Sequence, residues 1–408
     1  MNQAASSPNL SFKTTSEIFQ AAKFCRDVFV QEQLNHLETS IDQLASLAES
    51  GLSKSPLLTL ACLNLRHSKC DYFINLLAKT AITTATFARQ MAVEPDSSRI
   101  LIKTNLLILF GIAKPLLLVK RRPELWSKYK TLIERAPLIA FKRLKNTQIK
   151  EQECLRLLSQ LAGMNQITST EQTCRAIASI AVNVVLHTIP FKSVNCVSME
   201  TGLDRCLQGQ AIIKMQAGAV QRGVAIKRAM QDILNCGQLI RLKDGQFAIY
   251  LGALKESKNN KCLVLGFNNN KLDSNVSIIK TEQSSLIYRV PQPPLDFSIF
   301  MQGLREHNDV INQNLSLPLK FSCSNLRGQL LAPAGMEERS KILLNGDERQ
   351  IIELLQTDTN VSGFLLDYAS KGNRQKQAVK DVRHAIALLG HARLYPVIGD
   401  SQLSANLY

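Results

Sequence analysis

The sequence predicts a mainly α-helical protein, with a helical bundle, a small β-hairpin element and a C-terminal helical segment. Apolar residues recur at intervals of three and four over residues 15–50, which is the spacing of amphipathic helices. Leu106–Val119, LLILFGIAKPLLLV, is almost wholly apolar and indicates a core helix. Gly237–Lys280 alternates apolar and polar residues and contains Asp244-Gly245, a strong hairpin signal.

The composition is that of a folded protein with a basic surface. The chain has 408 residues, of which 45% are hydrophobic and 20% charged, so it is long enough for two or three domains with sizeable cores. Lys and Arg number 49 and Asp and Glu 33, which leaves a formal charge of +16. Such a charge attracts acidic partners such as nucleotides, nucleic acid or anionic lipid. A basic surface with no specialised partner fits the composition equally well.

The cysteines and the apolar run indicate a cytoplasmic protein without an integral membrane span. Ten cysteines are scattered with no CxxC pair, and the chain begins with no secretory signal, so we expect reduced and mostly buried thiols. The long apolar run of residues 100–119 contains Lys103, Lys114 and Pro115. Charges within a span are costly in lipid, so this run is predicted to be a core helix.

Breaks in these patterns divide the chain into four parts. Residues 1–51 are predicted as an N-terminal helical extension and residues 52–285 as the main domain, which ends in the hairpin element at 237–280. Tyr288–Asp296, YRVPQPPLD, disfavours both helix and central strand, and residues 286–345 are predicted as a linker region. Residues 346–408 form the C-terminal helical segment.

The central helix resembles the metal-binding helix of the HD superfamily of phosphohydrolases, which reads roughly L-L-H-D-I-G-K-P. When Lys114-Pro115 is placed on the closing K-P, Phe110 takes the position of the ligand His and Gly111 that of the ligand Asp. The resemblance therefore implies an HD scaffold from which both of these metal ligands are missing.

Further stretches resemble the HD-GYP branch of this superfamily. Residues 79–92, KTAITTATFARQMA, resemble the first HD helix, with Thr80 in place of its ligand His. Pro137 matches the proline of a His-Pro dipeptide whose ligand His is replaced by Ala136. The segment at 237–280 is similar to the hairpin that closes many of these domains.

The C-terminal segment resembles the first half of an HDOD domain, a non-catalytic HD relative. Its pattern is roughly I-x-x-D-P-x-L-x-x-x-L-L-x-x-A-N followed by V-x-x-x-x-x-A-I-x-x-L-G. The matching residues are Asp358, Phe364, Leu365, Leu366, Ala369, Val379, Ala385, Ile386, Leu389 and Gly390. Because residue 408 falls short of a full HDOD domain, we expect either a reduced module or a fragment.

Four lost ligand positions imply a protein that holds no metal or other cofactor and has no catalytic residues. None of the six histidines is followed by Asp. The resemblance implies a bacterial signalling or regulatory protein that binds proteins or ligands, linked to cyclic dimeric GMP. A residual metal-dependent phosphodiesterase with an unrecognised metal site is the alternative. No P-loop, Gly-rich dinucleotide turn or G-x-S-x-G motif indicates another enzyme class.

A basic run at residues 114–145 supplies a third hypothesis. It holds ten Lys or Arg against two Glu, and aromatic residues lie among the cations. This combination is used by sites that bind nucleotides or nucleic acid. A solvated helical face with its aromatic rings in the core is the other interpretation. The candidate anion-binding residues are Lys120, Arg121, Arg122, Trp126, Lys128 and Lys130.

Overall fold

The fold is described from a computed structural model and is mainly helical with a small antiparallel sheet, as the sequence predicts. The described residues fall into two compact units, one within 12–311 and one within 347–390. They are 12–90, 93–125, 128, 129, 132, 135–145, 147, 152–163, 178, 181, 182, 185, 196–197, 236–254, 261–268, 271–280, 284–286, 289–290, 296–307, 310–311, 347–357, 359–372 and 378–390.

Eight α-helices precede the sheet among the described residues of the first unit. They are α1 (Phe12–Gln31), α2 (Leu34–Lys54), α3 (Pro56–Ala61), α4 (Tyr72–Gln90), α5 (Pro95–Gly111), α6 (Ala113–Arg121), α7 (Ala136–Leu144) and α8 (Gln152–Leu161). α1 and α2 pack on each other and on α4, so residues 12–54 form one bundle with the helices that follow. α5 lies in the middle of this bundle, against α2, α4, α7 and α8.

The predicted core helix at Leu106–Val119 is divided between α5 and α6. The two helices meet at Ile112 with a bend of 58°. Pro115 explains the bend, because it has no N–H to donate to the carbonyl of Gly111 and its ring crowds that oxygen. Residues Leu106–Gly111 are buried, as predicted for a core helix. Within the described residues no single helix is long and apolar enough to cross a membrane, and only this bent pair reaches that length and composition.

The hairpin predicted at Asp244-Gly245 is present and belongs to a larger sheet. It joins β2 (Leu239–Leu242) to β3 (Phe247–Ala253), with Gly245 at φ 87°. The sheet continues with β4 (Lys261–Asn268), β5 (Lys271–Lys280) and β6 (Ser284–Leu286), in the antiparallel order β5-β4-β3-β2-β6. The predicted hairpin element is therefore only part of the observed sheet, in which β6 returns to pair with β2. β1 (Cys196–Val197) and β7 (Arg289–Val290) form a separate antiparallel pair.

Helix α9 (Phe297–Glu306) lies within the region predicted as a linker, so this part of that region is helical. Its N-terminus is tied to the turn between α3 and α4. Asp296 caps the helix by accepting from the N–H of Ser298 at 2.6 Å, and its other oxygen accepts from the N–H of Ser68 at 2.8 Å. The N–H of Phe297 donates to the carbonyl of Arg66 at 3.0 Å.

The second unit contains three described helices with a core of their own. They are α10 (Glu348–Thr357), α11 (Thr359–Gly372) and α12 (Val382–Leu389), and Asp381 caps α12. The predicted C-terminal helical segment is thus mainly helical among its described residues. The buried side chains of this core are Ile351, Ile352, Leu355, Leu365, Ala369, Val379, Val382, Ala385 and Ile386.

Candidate functional site

Phe110, which the sequence resemblance aligns with the HD ligand His, is a buried core residue. Its ring is 1% exposed and meets the ring of Phe29 edge-on, with 5.3 Å between centroids. The guanidinium of Arg143 lies over the ring face, 4.8 Å from its centroid. The ring therefore packs between a second aromatic ring and a guanidinium.

Gly111, which the resemblance aligns with the ligand Asp, faces the backbone of α7. A Cβ atom on this residue would lie 2.8 Å from the Cα, Cβ and N atoms of Ala140, closer than carbon atoms approach in proteins. The glycine thus allows α5 and α7 to pack closely. An aspartate here would force the two helices apart.

Thr80 and Ala136, the other two positions that the resemblance aligns with metal ligands, are also buried. The carbonyl of Thr80 accepts from the hydroxyl of Thr84 at 2.8 Å, and that hydroxyl accepts from Asn105 Nδ2 of α5 at 2.8 Å. The Thr80 hydroxyl has no hydrogen-bond partner among the described residues. Ala136 begins α7, one turn before Ala140.

The four positions therefore lie on α4, α5 and α7, and α5 packs on both of the other helices. Their neighbours make the connections, with Thr84 and Asn105 on one side of α5 and Gly111 and Ala140 on the other. In the part of the chain that the structure describes, no three His, Cys, Asp or Glu side chains are grouped as metal ligands would be.

Arg143 donates hydrogen bonds to two carbonyl oxygens at the bend. Its Nη1 donates to the carbonyl of Phe110 at 3.4 Å and to that of Gly111 at 3.3 Å. These carbonyls end α5, where the helix dipole favours a cation. Arg143 thus holds the α5–α6 bend against α7.

Glu32, in the turn between α1 and α2, contacts Arg143 and Lys114 at this bend. Its Oε1 forms ion pairs with Lys114 Nζ at 3.0 Å and with the Nη2 of Arg143. The hydrogen bond from Lys114 and the charge of Arg143 lower the pKa of the Glu32 carboxyl. One carboxylate oxygen is therefore shared by two cations from two different helices.

Further cations lie on α6, on α7 and in the segment between them. We define the basic surface as Lys114, Lys120, Arg121, Arg122, Lys128, Arg135, Lys142, Arg143 and Lys145. Among its predicted members, Arg121, Arg122 and Lys128 are exposed, and Lys120 is half-buried with its Nζ 5.0 Å from the ring centroid of Tyr72. Lys128 Nζ lies 5.7 Å from the ring of Tyr129. Trp126 and Lys130, also predicted as anion-binding residues, lie outside the described residues.

Sequence reasoning did not select Glu32 or Arg143 as site residues. Arg143 stands in the basic run but carries no local motif, and Glu32 lies 111 positions away from it. The only sequence signal for Glu32 is the change of helical phase near residue 33, which marks the turn. The pairing itself requires the packing of α1, α6 and α7.

Compared with known proteins, the chain matches no family model, and no curated protein or solved structure is significantly similar to it. The resemblance to HD and HDOD domains is therefore carried by the quoted sequence patterns alone.

Proposed function

We propose that this chain is a non-catalytic regulatory protein whose helical bundle is a scaffold for binding, and whose basic surface contacts an acidic partner. The packing around Phe110 and Gly111 carries the proposal. An aromatic ring covered by Arg143 takes one former ligand position, and helix backbone closes the other. A pair of catalytic metals would require both positions to be open and polar.

The exposure of the basic surface supports the second half of the proposal. Arg121, Arg122, Lys128, Lys142 and Lys145 are all exposed, which keeps their charges available to a partner. Glu124 is the one acidic side chain described within residues 114–145. A concentration of cations of this kind raises the local potential and speeds association with anions.

The sequence patterns support a proposal for the class of partner. The HD-GYP resemblance favours a role in bacterial cytoplasmic signalling related to cyclic dimeric GMP, with the regulatory output passed to partner proteins. Nucleic-acid binding is a second candidate, favoured by the exposed cations and by Tyr129, whose ring lies beside Lys128.

Metal analysis combined with a turnover assay tests the non-catalytic half of the proposal. We expect less than one Mn, Fe or Zn ion per purified chain and no hydrolysis of cyclic dimeric GMP. Two tightly bound transition metals together with turnover would show the alternative, a residual metal-dependent phosphodiesterase with a site outside the four positions.

A binding assay tests the other half. Cyclic dimeric GMP and a short single-stranded RNA are titrated at low salt against the wild type and against Arg121→Ala/Arg122→Ala. Binding that weakens in the variant supports the basic surface as the contact. Equal binding by both proteins would place the contact elsewhere.

A further inference from the structure

Two cations converge on a single carboxylate oxygen at the α5–α6 bend. Lys114 and Arg143 both pair with Oε1 of Glu32, and their side chains are 60% and 32% exposed. Two cations from different helices therefore pair with one carboxylate at a place that solvent reaches, which leaves the three side chains with a net positive charge.

The guanidinium of Arg143 is held in a fixed orientation. One nitrogen donates to the carbonyls of Phe110 and Gly111, and the plane lies over the Phe110 ring. A guanidinium fixed in this way loses little conformational freedom when it binds an oxyanion, and its fork matches the oxygens of a phosphate group. The edge that carries Nη2 is the one presented to Glu32.

The backbone of Glu32 is strained at this turn. Its φ of 56° makes it the one non-glycine residue with positive φ in the part of the chain that the structure describes. The N–H of Gln33 donates to the carbonyl of Val28 at 3.1 Å, a bond typical of a helix that ends through a left-handed residue. Glycine or asparagine suits that position better, so the turn alone does not explain a glutamate. The ion pairs of its carboxylate with Lys114 and Arg143 explain the glutamate.

We infer that Lys114 and Arg143 form a binding site for a phosphate group of a nucleotide ligand, and that the Glu32 carboxylate occupies this site until the ligand displaces it. The inference rests on the proposed function and gives its basic surface a specific ligand chemistry. The carboxylate is 38% exposed, so its side chain has solvent to move into when a phosphate replaces it.

Two substitutions of Glu32 distinguish the effect of its carboxylate charge from the effect of its strained backbone. Glu32→Gln removes the charge and keeps the strained backbone, whereas Glu32→Gly removes the charge and relieves the strain. Glu153→Gln is the matched control, because it also removes one carboxylate from an exposed ion pair, with Arg156, and gives the same net charge. Lys114→Gln tests the site without disturbing Arg143, whose loss would release the end of α5.

The probes are pyrophosphate, cyclic dimeric GMP and a short single-stranded RNA, titrated into each full-length protein at fixed low salt. We expect Glu32→Gln and Glu32→Gly to bind the nucleotide probes tighter by on the order of fivefold, and Lys114→Gln to bind them more weakly by a similar factor. Glu153→Gln should stay within about twofold of the wild type. Tighter binding of pyrophosphate alone would overturn the nucleotide assignment.

The failure of this inference differs from the failure of the proposed function. If the wild type binds a nucleotide probe and both Glu32 variants bind it no tighter than Glu153→Gln, the Glu32 contact is only structural and the inference is wrong. If no protein binds any probe at low salt, the proposed contact of the basic surface is wrong as well. Unfolding curves of each variant exclude loss of fold as the cause of weak binding.

Discussion

The ring of Phe29 from α1 meets the ring of Phe110 from α5 edge-on, 5.3 Å apart, in the middle of the bundle. Replacing Phe110 with Ala removes this contact and the surface on which Arg143 lies. We expect Phe110→Ala to lower the free energy of unfolding by about 3–5 kcal/mol, measured by urea denaturation.

The control for this prediction is a phenylalanine whose side chain is exposed to solvent. Phe24 on α1 is 38% exposed, and Phe24→Ala should cost about 1 kcal/mol or less. Equal losses in the two variants would show that the ring of Phe110 is not a core residue, and would remove the main support for a closed former ligand position.

Gly111→Ala tests the close approach of α5 and α7. The added Cβ would lie 2.8 Å from the Ala140 backbone, so the helices must shift, and we expect a loss of about 1–3 kcal/mol in thermal unfolding experiments. At Gly363 in α11 an added Cβ meets nothing within 4 Å, and Gly363→Ala should raise stability by up to about 1 kcal/mol through helix propensity. A stabilising Gly111→Ala would contradict the packing.

Stability should fall in mild acid because of His67. Its ring lies 4.9 Å from that of Phe19 and 6.4 Å from that of Phe297, and its Nδ1 is buried with no partner among the described residues. Burial lowers the pKa of His67 below its usual 6.5, although Asp296 opposes the shift. Between the two pKa values the unfolded chain binds more protons than the folded chain. The contribution of His67 to the free energy of unfolding is therefore fully present above about pH 6.5 and declines as the pH falls toward the lowered pKa.

Urea denaturation between about pH 7.5 and pH 5 measures this effect. His67→Phe retains the ring contacts without a proton to gain, and we expect its stability to change less over this range than that of the wild type. Burial raises the pKa of Asp296, but hydrogen bonds from Ser68 and Ser298 outweigh it and the net pKa is lowered, so this carboxylate acts at lower pH. His36→Gln, which removes an exposed histidine, is the control.

Salt dependence tests whether the basic surface touches phosphates. Each neutralised phosphate releases counterions, so affinity for single-stranded RNA should fall log-linearly with salt, and Arg121→Ala/Arg122→Ala should reduce the slope by about 0.7 for each arginine that touches a phosphate. Lys380→Ala/Arg383→Ala removes two exposed cations from the second unit. An equal reduction of slope in both double variants would indicate non-specific attraction to total charge.

Local signals predicted the parts of the fold that local chemistry determines. The spacing of apolar residues identified helices, and Asp244-Gly245 identified its turn, because each pattern fixes a conformation within a few residues. The burial of Phe110 and Gly111 also followed from the apolar helix around them. The break at Ile112 was not predicted, although Pro115 is visible in the sequence. A proline in an apolar run is compatible with a kinked helix and with the first turn of a new helix, and here it lies in the first turn of α6.

Contacts between distant parts of the chain could not be predicted in this way. Arg143 meets Glu32 across 111 positions, and β6 pairs with β2 after three intervening strands. No periodicity or motif in one sequence specifies such partners. The family patterns aligned Thr80, Phe110, Gly111 and Ala136 with ligand positions, and the packing of α4 and α7 on α5 is a result of the structure.

The ties at the turn between α3 and α4 have a kinetic consequence. Asn64 donates to the carbonyl of Cys236 and Ser68 to Asp296, across 172 and 228 positions. Closing loops of that length costs more entropy than forming the α1–α2 and α4–α5 hairpins, whose partners are neighbours in the chain. The bundle can therefore form before the sheet and α9 dock onto it. In pulse-labelling hydrogen exchange, we expect the amides of α4 and α5 to become protected earlier than the amide of Phe297, which donates to the carbonyl of Arg66.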